Sequence, residues 1–268
     1  MIALTVFTAV AILYAGQRKR PTGGAEGFSL LGSDGNLEPK TRFRVGTYNI
    51  HGGVGQDGVK DIRRAAEFLR ECDVVGLNEV CGPSLFDSRG QAEAIAANIG
   101  LPWLFAPTER RWWRDAFGNA VLTSLPVTHW QRIPISGPAA HSNRNMVLVK
   151  TMWQQRSVSV LVTHIEREDR EAQLRTVIQK FLSLPEPCIL LGDLNSHGDD
   201  PQIQSLLSNP NVVDAIHVAL GKDDLERIDW IFVRGMKPTG GGMRSKGVSD
   251  HPFFWADLEF DPPSNLSK

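Results

Sequence analysis

Residues 188–195 read Cys-Ile-Leu-Leu-Gly-Asp-Leu-Asn, and this short stretch contains the pattern from which the fold can be predicted. Its first four residues are apolar, and a run of this length between polar segments is typical of a strand buried on both faces. Asp193 and Asn195 follow at once. Functional sites are often assembled from loops at the rim of a sheet, because the rigid scaffold fixes their spacing. The stretch therefore predicts a central strand that ends at a functional site.

Similar strand and helix patterns alternate through the rest of the chain from residue 42 onward. Residues 43–48 alternate between apolar and polar side chains like a strand, and residues 62–69 place apolar side chains at helical spacing. Further strands are predicted at residues 74–77, 120–122, 146–152, 158–162, 228–233 and 253–260, and further helices around residues 92–99 and 174–181. Several connections are too short for a helical crossover. The pattern indicates an α/β protein in which helices flank two layers of mixed sheet.

Polar residues of the kind that bind metal or phosphate lie next to most of the predicted strands. They are Asn49, Asn78, Glu79, Asn119, His164, Asp193, Asn195, Asp229, Asp250 and His251. Carboxylates, amides and imidazoles suit a hard cation with oxygen ligands, such as Mg²⁺ or Mn²⁺. Such a cation acts as a Lewis acid when a phosphate ester is cleaved. The pattern therefore indicates phosphoester chemistry at one rim of the sheets.

Seven short motifs occur in the order seen in a known superfamily. They are Thr47-Tyr48-Asn49-Ile50-His51, Leu77-Asn78-Glu79-Val80, Gly118-Asn119-Ala120, Thr163-His164, Gly192-Asp193-Leu194-Asn195, Arg227-Ile228-Asp229-Trp230-Ile231 and Ser249-Asp250-His251-Pro252. Each motif alone is weak, but their shared order and spacing are specific. From about residue 42 to 260 the chain resembles the endonuclease/exonuclease/phosphatase superfamily, and most of all its compact bacterial metal-dependent hydrolases. The resemblance implies a four-layer α/β/β/α sandwich of two mixed, largely antiparallel sheets flanked by helices, and metal-dependent hydrolysis of a phosphoester.

The predicted metal ligands are Asn49, Glu79 and Asp250, which would bind Mg²⁺ or Mn²⁺ directly or through water. A carboxylate directly after a buried strand costs free energy unless it is paired or coordinated, which favours Glu79 as a ligand. A salt bridge from Glu79 to an arginine is the alternative interpretation. For Asn49 the alternative is a side-chain hydrogen bond that stabilises the turn before Gly52 and Gly53.

The predicted catalytic residues are His164, Asp193, Asn195, Asp229 and His251. Asp229 is expected to bind one ring nitrogen of His251 and to leave the other for water or a phosphate oxygen. Asp193 is expected to orient or deprotonate the attacking water, and Asn195 to bind a phosphate oxygen. His164 is expected to stabilise the pentavalent phosphate or to protonate the leaving oxygen. The identity of the general base stays open between His251 and Asp193.

Asn119 and Arg144 are the predicted substrate contacts. The guanidinium of Arg144 matches two phosphate oxygens, although an ordinary surface arginine is nearly as good an interpretation. Residues 108–117 interleave arginine with tryptophan, which suits stacking on bases or contact with lipid headgroups. An aromatic surface loop is the alternative for this stretch. Asn78 stands where glutamine is usual in the superfamily, a change expected to alter a hydrogen bond under the metal.

The overall composition narrows the classes of function. The chain has 29 Lys and Arg against 30 Asp and Glu, a net charge of −1, which argues against a protein that clamps nucleic acid with a strongly basic surface. Its three cysteines, Cys72, Cys81 and Cys188, form no CxxC pair, which argues against structural zinc and against a disulfide framework. A hydrophobic core is therefore expected to hold the chain together.

The two ends of the chain are predicted to lie outside the catalytic domain, which spans residues 42–262. Residues 1–16 carry no charge and are followed by a basic run at 18–20, which fits a signal segment or a membrane anchor with a cytoplasmic catalytic domain. A buried N-terminal helix is the alternative. Residues 17–41 have the composition of a flexible linker, and residues 263–268 form a tail. Location stays open between membrane-associated and exported.

The function predicted from these features is that of a monomeric, metal-dependent phosphodiesterase with water as its nucleophile. The expected substrate is a phosphodiester of the nucleic acid or phospholipid type. One alternative is a phosphomonoesterase that acts on a sugar or inositol phosphate. The other is an inactive, membrane-tethered binding module of the same fold, against which the intact set of carboxylates and histidines argues.

Overall fold

Thirteen strands and six helices make up the described part of the chain, which in this computed structural model comprises residues 2–21, 26–27, 41–84, 88–112, 114–135, 143–222 and 224–261. The strands are β1 (Glu26–Gly27), β2 (Phe43–Asn49), β3 (Val74–Cys81), β4 (Trp103–Arg111), β5 (Arg114–Thr123), β6 (Val127–Ile135), β7 (Arg144–Trp153), β8 (Arg156–His164), β9 (Cys188–Asp193), β10 (Val213–Asp214), β11 (Asp229–Arg234), β12 (Met236–Arg244) and β13 (Phe253–Phe260). The helices are α1 (Ile2–Gly16), α2 (Ile62–Leu69), α3 (Gln91–Ile99), α4 (Arg170–Ser183), α5 (Pro201–Leu207) and α6 (Ala215–Leu220), with a 3₁₀ turn at His51–Gly53.

The strands form two sheets that face each other. The first sheet has the order β12-β13-β2-β3-β5-β4, and the second has the order β1-β6-β7-β8-β9-β11-β10. Each sheet contains one parallel pair near its centre, β2 with β3 and β8 with β9. The other pairings between the described strands are antiparallel. The prediction of two mixed, largely antiparallel sheets is therefore confirmed.

Hydrophobic side chains fill three layers between these elements. The core between the sheets includes Val45, Val74, Val160, Val162, Ile189 and Leu191. Helices α2 and α3 cover the outside of the first sheet through Ala65, Leu69, Ala92 and Ile95. Helices α4 and α5 cover the outside of the second sheet through Leu174, Val177, Phe181, Ile203 and Leu206. Helix, sheet, sheet and helix follow one another, which confirms the predicted four-layer sandwich.

Strand β9 shows why the central strands are apolar throughout. Side chains of a strand point alternately to its two faces. Ile189 and Leu191 enter the core between the sheets, whereas Cys188 and Leu190 pack under the outer helices. Each fully buried aliphatic side chain contributes about 1.5–3 kcal/mol relative to an exposed one. The apolar run of β9 is thus the signature of a strand that is covered on both sides.

The two sheets approach each other closely at the centre of β3. A Cβ atom added at Gly76 would lie 2.9 Å from Cγ1 of Val162 in β8, closer than ordinary van der Waals contact. Glycine therefore lets the backbone of β3 pack directly against the opposite sheet. This close approach brings the ends of β2 and β3 next to the ends of β8 and β9.

The structure differs from the sequence prediction mainly at the edges of the sheets. Of residues 108–117, for which a surface loop was one interpretation, 108–112 and 114–117 form the outer half of a hairpin in which β4 pairs with β5, and Trp113 lies outside the described residues. The sequence patterns also do not predict β4, β6, β12, α5 or α6. Strand β12 contains Pro238 and Gly240 to Gly242 and lies at a sheet edge. Proline and glycine are tolerated there because an edge strand makes only one ladder of hydrogen bonds.

Helix α1 joins the catalytic domain at the β4–β5 hairpin. Lys19 pairs with Arg110 in an isolated antiparallel bridge, and the Trp112 amide donates to the Ala15 carbonyl at 2.8 Å. The residues directly after α1 therefore contact the hairpin, and the predicted domain boundaries stay a prediction. The described chain contains no helix with both the length and the apolar character needed to cross a membrane.

The rest of the predicted linker is described only in part. Strand β1, Glu26–Gly27, pairs with β6 in the second sheet. Residues 22–25 and 28–40 of the predicted linker lie outside the described residues, and so does the predicted tail at 263–268.

Candidate active site

Both central parallel pairs end at the same rim of the sandwich. Strand β2 ends at Asn49 beside Asn78 of β3, and β8 ends at His164 beside Asp193 of β9. The strands of a parallel pair run the same way, so their carboxyl ends lie side by side. Since the two pairs belong to facing sheets, four strand ends surround one space.

Asn49 connects the two sheets at this rim. Its Nδ2 group donates to Glu79 Oε1 at 3.1 Å and to Asp193 Oδ2 at 3.0 Å. Its Oδ1 atom accepts from the His51 amide at 3.1 Å, and the side chain is fully buried. Asn49 was predicted as a metal ligand, but here it turns its nitrogen rather than its oxygen towards the carboxylates. In this arrangement it orients Glu79 and Asp193.

The backbone at Glu79 is shaped to direct its carboxylate. Glu79 has a φ of 56°, in the left-handed region that residues other than glycine rarely adopt. The pairing of β3 with β5 shifts register between Leu77 and Val80, so Glu79 lies in a β-bulge. A bulge re-aims a side chain out of the alternating order of its strand. Strained backbone of this kind clusters at functional sites, which supports a functional role for Glu79.

Asp250 lies at the open edge of the same space. Its side chain is 51% exposed, and its Oδ1 atom is 3.6 Å from His51 Nδ1. The Ser249 hydroxyl donates to the Asn49 carbonyl at 2.7 Å and lies 3.2 Å from Asp250 Oδ1. Of the predicted ligands, Glu79 therefore contacts the Asn49 side chain directly, whereas Asp250 is connected to the Asn49 carbonyl through the Ser249 hydroxyl.

His251 and Asp229 form a hydrogen-bonded pair. His251 Nδ1 lies 2.7 Å from Asp229 Oδ2, and its Nε2 atom faces Asp193 Oδ2 at 3.7 Å. Burial lowers the pKa of His251, but the hydrogen bond and charge of Asp229, together with the charges of Asp193 and Asp250, outweigh burial and raise the pKa to about 9. The Asp229 carboxylate thus fixes the imidazole ring of His251, and the Nε2 atom of that ring faces the Asp193 carboxylate.

Asp193 lies at the centre of these contacts. Its Oδ1 atom accepts from the Asn195 amide at 2.9 Å, and its Oδ2 atom lies 3.4 Å from His164 Nε2. Burial and the charge of Asp229 raise the pKa of Asp193 to about 7, against the opposing effect of His251. Candidate ligand atoms of Asp193, Asp229 and His251 all lie within 4.8 Å of one another. The tightest cluster in the described chain therefore consists of residues predicted as catalytic, with the predicted ligands around it.

The neighbours of His164 determine which of its nitrogens carries the proton. Arg144 Nη1 lies 3.2 Å from Nδ1, and because arginine can only donate, Nδ1 accepts. Asn195 Nδ2 lies 3.2 Å from Nε2, but it donates to the Ile165 carbonyl at 2.8 Å. A neutral His164 therefore carries its proton on Nε2, which faces Asp193.

The charge state of His164 bears on its two predicted roles. Burial, and then the positive charges of Arg144, His251 and Arg167, hold the pKa of His164 well below its usual value. The ring is therefore neutral and offers one N–H group. This placement favours a hydrogen bond to a phosphate oxygen over the transfer of a proton to the leaving oxygen.

Arg167 is a site residue that the sequence did not predict. Its Nε group donates to Asn195 Oδ1 at 3.0 Å, and its side chain is exposed. Arg144, the predicted substrate contact, lies on the other side of His164, and burial lowers its pKa. The sequence feature that could have identified Arg167 is its position, since it follows His164 by three residues in the loop after strand β8.

Asn119 is placed differently from its predicted role as a phosphate contact. It is 1% exposed, its Oδ1 accepts from Asn78 Nδ2 at 2.8 Å, and its Nδ2 donates to Asn145 Oδ1 at 3.0 Å. Asn78 Oδ1 accepts from the Asp193 amide at 3.1 Å, and Asn145 Nδ2 donates to the Pro107 carbonyl in β4 at 2.9 Å. Both ends of the Asn119 amide are thus engaged. We call these three asparagines, 78, 119 and 145, the amide chain. It runs to the hairpin from the rim where β2, β3, β8 and β9 end, which we call the catalytic rim after its predicted catalytic residues.

A cleft of about 470 Å³ opens beside the His251–Asp229 pair. Asp250 and His251 line it, together with Arg167 and Lys246. The volume lies in the range of small-molecule sites. The reactive side chains are therefore reachable from solvent through a cleft that also contains cationic groups.

The charge of the site fits a bound divalent cation. Within the described ranges, no lysine or arginine forms an ion pair with Glu79, Asp193, Asp229 or Asp250, and the ion-pair partners that these carboxylates have are histidines. Asp229 Oδ1 is buried without a hydrogen-bond partner. Buried carboxylates that lack compensation are costly. A donor set dominated by carboxylates suits Mg²⁺ or Mn²⁺.

Known proteins share this architecture. A profile of the Endonuclease/Exonuclease/phosphatase family matches residues 46–251. An endonuclease/exonuclease/phosphatase from Beutenbergia cavernae is 23% identical, with a TM-score of 0.66 over 82% of this chain and 72% of that one. A humanized D. rerio TDP2 is 19% identical, with a TM-score of 0.64 over 82% of this chain and 100% of that one. The human Nocturnin catalytic domain with bound sulfate is 17% identical, with a TM-score of 0.64 over 82% of this chain and 94% of that one. No curated protein matches the sequence significantly. At these identities the likeness to solved structures establishes the fold alone.

Proposed function

The chain belongs to the Endonuclease/Exonuclease/phosphatase family of phosphoester hydrolases, and on that premise we propose that it is a divalent-metal-dependent phosphodiesterase. The observation that carries this proposal is the convergence of acidic and imidazole groups at the end of both central strand pairs. Glu79, Asp193, Asp229 and His251 are far apart in sequence, yet hydrogen bonds or short contacts connect them through Asn49 and Asp193.

Glu79 and Asp250 are the residues that would hold the cation, with Asn49 orienting the Glu79 carboxylate. Glu79 accepts from Asn49 and Asp250 follows Ser249, which donates to the Asn49 carbonyl; Asp250 is also open to solvent, which leaves room for water ligands. When bound, Mg²⁺ or Mn²⁺ supplies a Lewis acid that neutralises charge on the phosphate.

The protein's own residues supply proton transfer and orientation. Asp193 and His251 lie 3.7 Å apart and act as one titrating pair that takes the proton of the attacking water. Asp229 holds the His251 ring in the orientation that this transfer requires. The neutral His164, through its Nε2–H group, and Asn195 bind phosphate oxygens, and Arg167 holds the Asn195 side chain.

The charge balance favours a diester over a monoester. A phosphodiester carries one negative charge near neutral pH, whereas a monoester carries about two, since its second pKa lies near 6. Several carboxylates without lysine or arginine partners face the site among the described residues. They repel the more highly charged monoester more strongly, which supports phosphodiester hydrolysis as the main activity.

Hydrolysis of bis(p-nitrophenyl) phosphate after EDTA treatment, with and without added Mg²⁺ or Mn²⁺, tests the proposal. We expect activity that requires the metal, that exceeds activity on p-nitrophenyl phosphate, and that falls by at least about 100-fold in Glu79→Gln. The exposed Glu171→Gln on α4 is the matched control and should retain activity. If wild type is inert with every divalent metal, the chain is a binding module of the same fold. If the monoester is cleaved faster, the phosphomonoesterase alternative holds.

A further inference from the structure

Helix α1 exposes large apolar side chains over more than half of its circumference. Val6, Phe7, Val10, Ile12, Leu13 and Tyr14 are each more than half exposed. No residue of the helix is charged, and Thr5 and Thr8 are the polar side chains described on its exposed surface. Contiguous apolar surface of this kind is rare on soluble proteins and marks a place where another apolar phase binds.

The carboxyl end of α1 is fixed to the tip of the β4–β5 hairpin. The Trp112 amide donates to the Ala15 carbonyl at 2.8 Å, and Arg111 Nε donates to the Gly16 carbonyl at 2.8 Å. A Cβ atom at Gly16 would lie 3.2 Å from the Trp112 ring, so helix and ring are in close contact. Helix and hairpin therefore present one continuous surface.

Positive charge is concentrated where the helix meets the hairpin. The cationic residues there are Arg18, Lys19, Arg20, Arg110, Arg111 and Arg114, and the acidic residues on the same segments are Glu109 and Asp115. The whole chain has a net charge of −1, so this local excess of cations is not a general property of the protein. The excess lies at the end of the apolar helix, where it complements an anionic surface.

We infer that α1 and the hairpin tip, residues 109–112 and 114–115, form a docking surface for a lipid bilayer with anionic headgroups. A groove on a protein partner covers one face of a helix, whereas lipid provides apolar surroundings on every side. At 1.5 Å per residue the 15 residues of α1 reach about 22 Å, most of the depth of a bilayer core of about 30 Å, so the described helix is long enough to place its exposed apolar side chains in the lipid.

The groups at the junction have the order found at membrane interfaces. Trp112 is 40% exposed beside the carboxyl end of the helix, and aromatic rings of this kind are enriched at the level of the headgroups. The basic residues follow directly beyond it, where they contact anionic headgroups. This docking surface is independent of the proposed phosphodiesterase activity, since none of its residues belongs to the catalytic rim.

Docking at this surface also fixes how the catalytic rim is presented to the membrane. The hairpin runs from Trp112 to Pro107, a separation of five residues or about 17 Å at 3.3–3.4 Å per residue. Pro107 accepts the hydrogen bond from Asn145 that ends the amide chain. The rim is therefore held at a set distance from the bilayer along the hairpin.

Flotation of the full chain, with its N-terminus verified by mass spectrometry, on phosphatidylcholine vesicles with and without phosphatidylglycerol tests this inference. We expect stronger binding to the anionic vesicles and loss of that preference at high salt. Phe7→Asp with Leu13→Asp should lower binding to both vesicles by at least about tenfold, because charges on the helix oppose its entry into lipid. Val218→Asp, at an exposed apolar position on α6, is the matched control and should bind like wild type.

The contribution of the hairpin is tested with Arg110→Gln, Arg111→Gln and Arg114→Gln combined. We expect about a tenfold loss on anionic vesicles alone, and recovery when the same positions carry lysine, which keeps the charge. Arg63→Gln, Arg70→Gln and Arg175→Gln combined, at exposed positions outside the hairpin, remove the same number of charges and serve as the charge-matched control. Hydrolysis of the small chromogenic substrate should be unchanged in all these variants, which shows that they fold.

Three outcomes would overturn the inference. In the first outcome, the intact chain stays at the bottom of the gradient with both vesicle types. In the second outcome, the hairpin variant binds anionic vesicles as well as wild type does. In the third outcome, light scattering shows that α1 mediates self-association and vesicles do not bind, so that a second copy covers the helix. A chain that binds vesicles but cleaves nothing keeps this inference and loses only the proposed activity.

Discussion

The catalytic rim and the surface formed by α1 and the hairpin tip depart from ordinary packing in opposite directions. At the rim, polar side chains are buried: Asp193, Asp229 and His164 are 1%, 2% and 4% exposed. On α1, apolar side chains are exposed, with Phe7 and Leu13 each at 71%. Both arrangements cost free energy in the isolated protein. Places where a chain accepts such a cost are therefore better guides to function than places where it packs well.

The two regions also differ in how firmly they are held. At the rim, the central Asp193 accepts hydrogen bonds from Asn49 and Asn195 and lies close to two imidazoles, so its position is fixed from several elements. Helix α1 is fixed at its carboxyl end by the hairpin. Chemistry that depends on fractions of an ångström needs the first kind of construction. Insertion into a fluid phase needs only the second.

The largest effect that separates the two regions is expected from His251→Ala. Removal of one member of the proposed proton-transferring pair should lower kcat/KM on bis(p-nitrophenyl) phosphate by about 10³-fold, within the usual range for such groups. The melting temperature should fall as well, because the buried Asp229 carboxylate loses its hydrogen-bond partner. His217→Ala, an exposed histidine on α6, serves as the control. A loss of less than tenfold would mean that the buried pair is structural.

Asn119→Ala should affect stability and activity together. The substitution leaves groups of Asn78 and Asn145 without partners in a buried setting, and each such group costs about 1–3 kcal/mol. Urea unfolding should therefore show a loss of about 2–4 kcal/mol, with reduced kcat because Asn78 binds the Asp193 amide. The exposed Asn98→Ala should cost less than about 0.5 kcal/mol. Lost activity at unchanged stability would instead restore Asn119 as a substrate contact.

Asp257→Asn tests whether buried charge alone marks function. Arg44 donates to both Asp257 oxygens, at 2.7 and 3.0 Å, and this hydrogen bonding lowers the pKa of Asp257. A carboxyl with a lowered folded pKa contributes stability above its unfolded pKa and loses it as pH falls through the folded value. We expect the variant to be less stable by about 0.5–1 kcal/mol at neutral pH, with unchanged activity.

The pH dependence of this ion pair gives the decisive measurement. Between about pH 5 and pH 3 the unfolding free energy of wild type should fall more steeply than that of Asp257→Asn, because the variant has no proton to take up at this position. If the unfolding free energy, measured by urea unfolding at the two pH values, falls by the same amount in wild type and in Asp257→Asn, the ion pair contributes nothing to stability. Unlike the rim carboxylates, Asp257 already has an arginine partner and needs no cation.

The smallest effect is expected from Leu13→Asp in the absence of lipid. Its side chain is exposed, so unfolding free energy should change by less than about 0.5 kcal/mol and small-substrate hydrolysis should not change. The buried Leu190→Ala is the contrasting variant and should cost about 2–5 kcal/mol. A large loss of stability in Leu13→Asp would place α1 in the core of the isolated protein.

The sequence predicts the centre of the molecule better than its edges. The strand predicted at 188–191 from its apolar run corresponds to β9, Cys188–Asp193, and the strand predicted at 43–48 from its alternation corresponds to β2, Phe43–Asn49. Strand β4 contains Pro107 and two terminal arginines and lies at a sheet edge, so neither its composition nor its periodicity distinguishes it from a loop. Edge strands bury less surface, and their sequences are correspondingly less constrained.

The candidate site shows the same limit at the level of single hydrogen bonds. Which residues gather at the rim is predictable, since they follow strands whose ends lie together. The direction in which Asn49 points its amide, and the engagement of Asn119 with Asn78 and Asn145, depend on contacts between sheets that sequence order does not contain. Arg167 likewise becomes a site residue only through the fold, by its hydrogen bond to Asn195.

Strand β13 lies between β12 and β2 in the first sheet, and Asp250 and His251 come directly before it. The ribosome therefore makes the strand that seats these two residues after all the others of the sandwich. A growing polypeptide can assemble most of the remaining scaffold while the groups that complete its chemistry are still untethered. A chain that ends before residue 250 therefore lacks both the Asp250 carboxylate and the imidazole that pairs with Asp229.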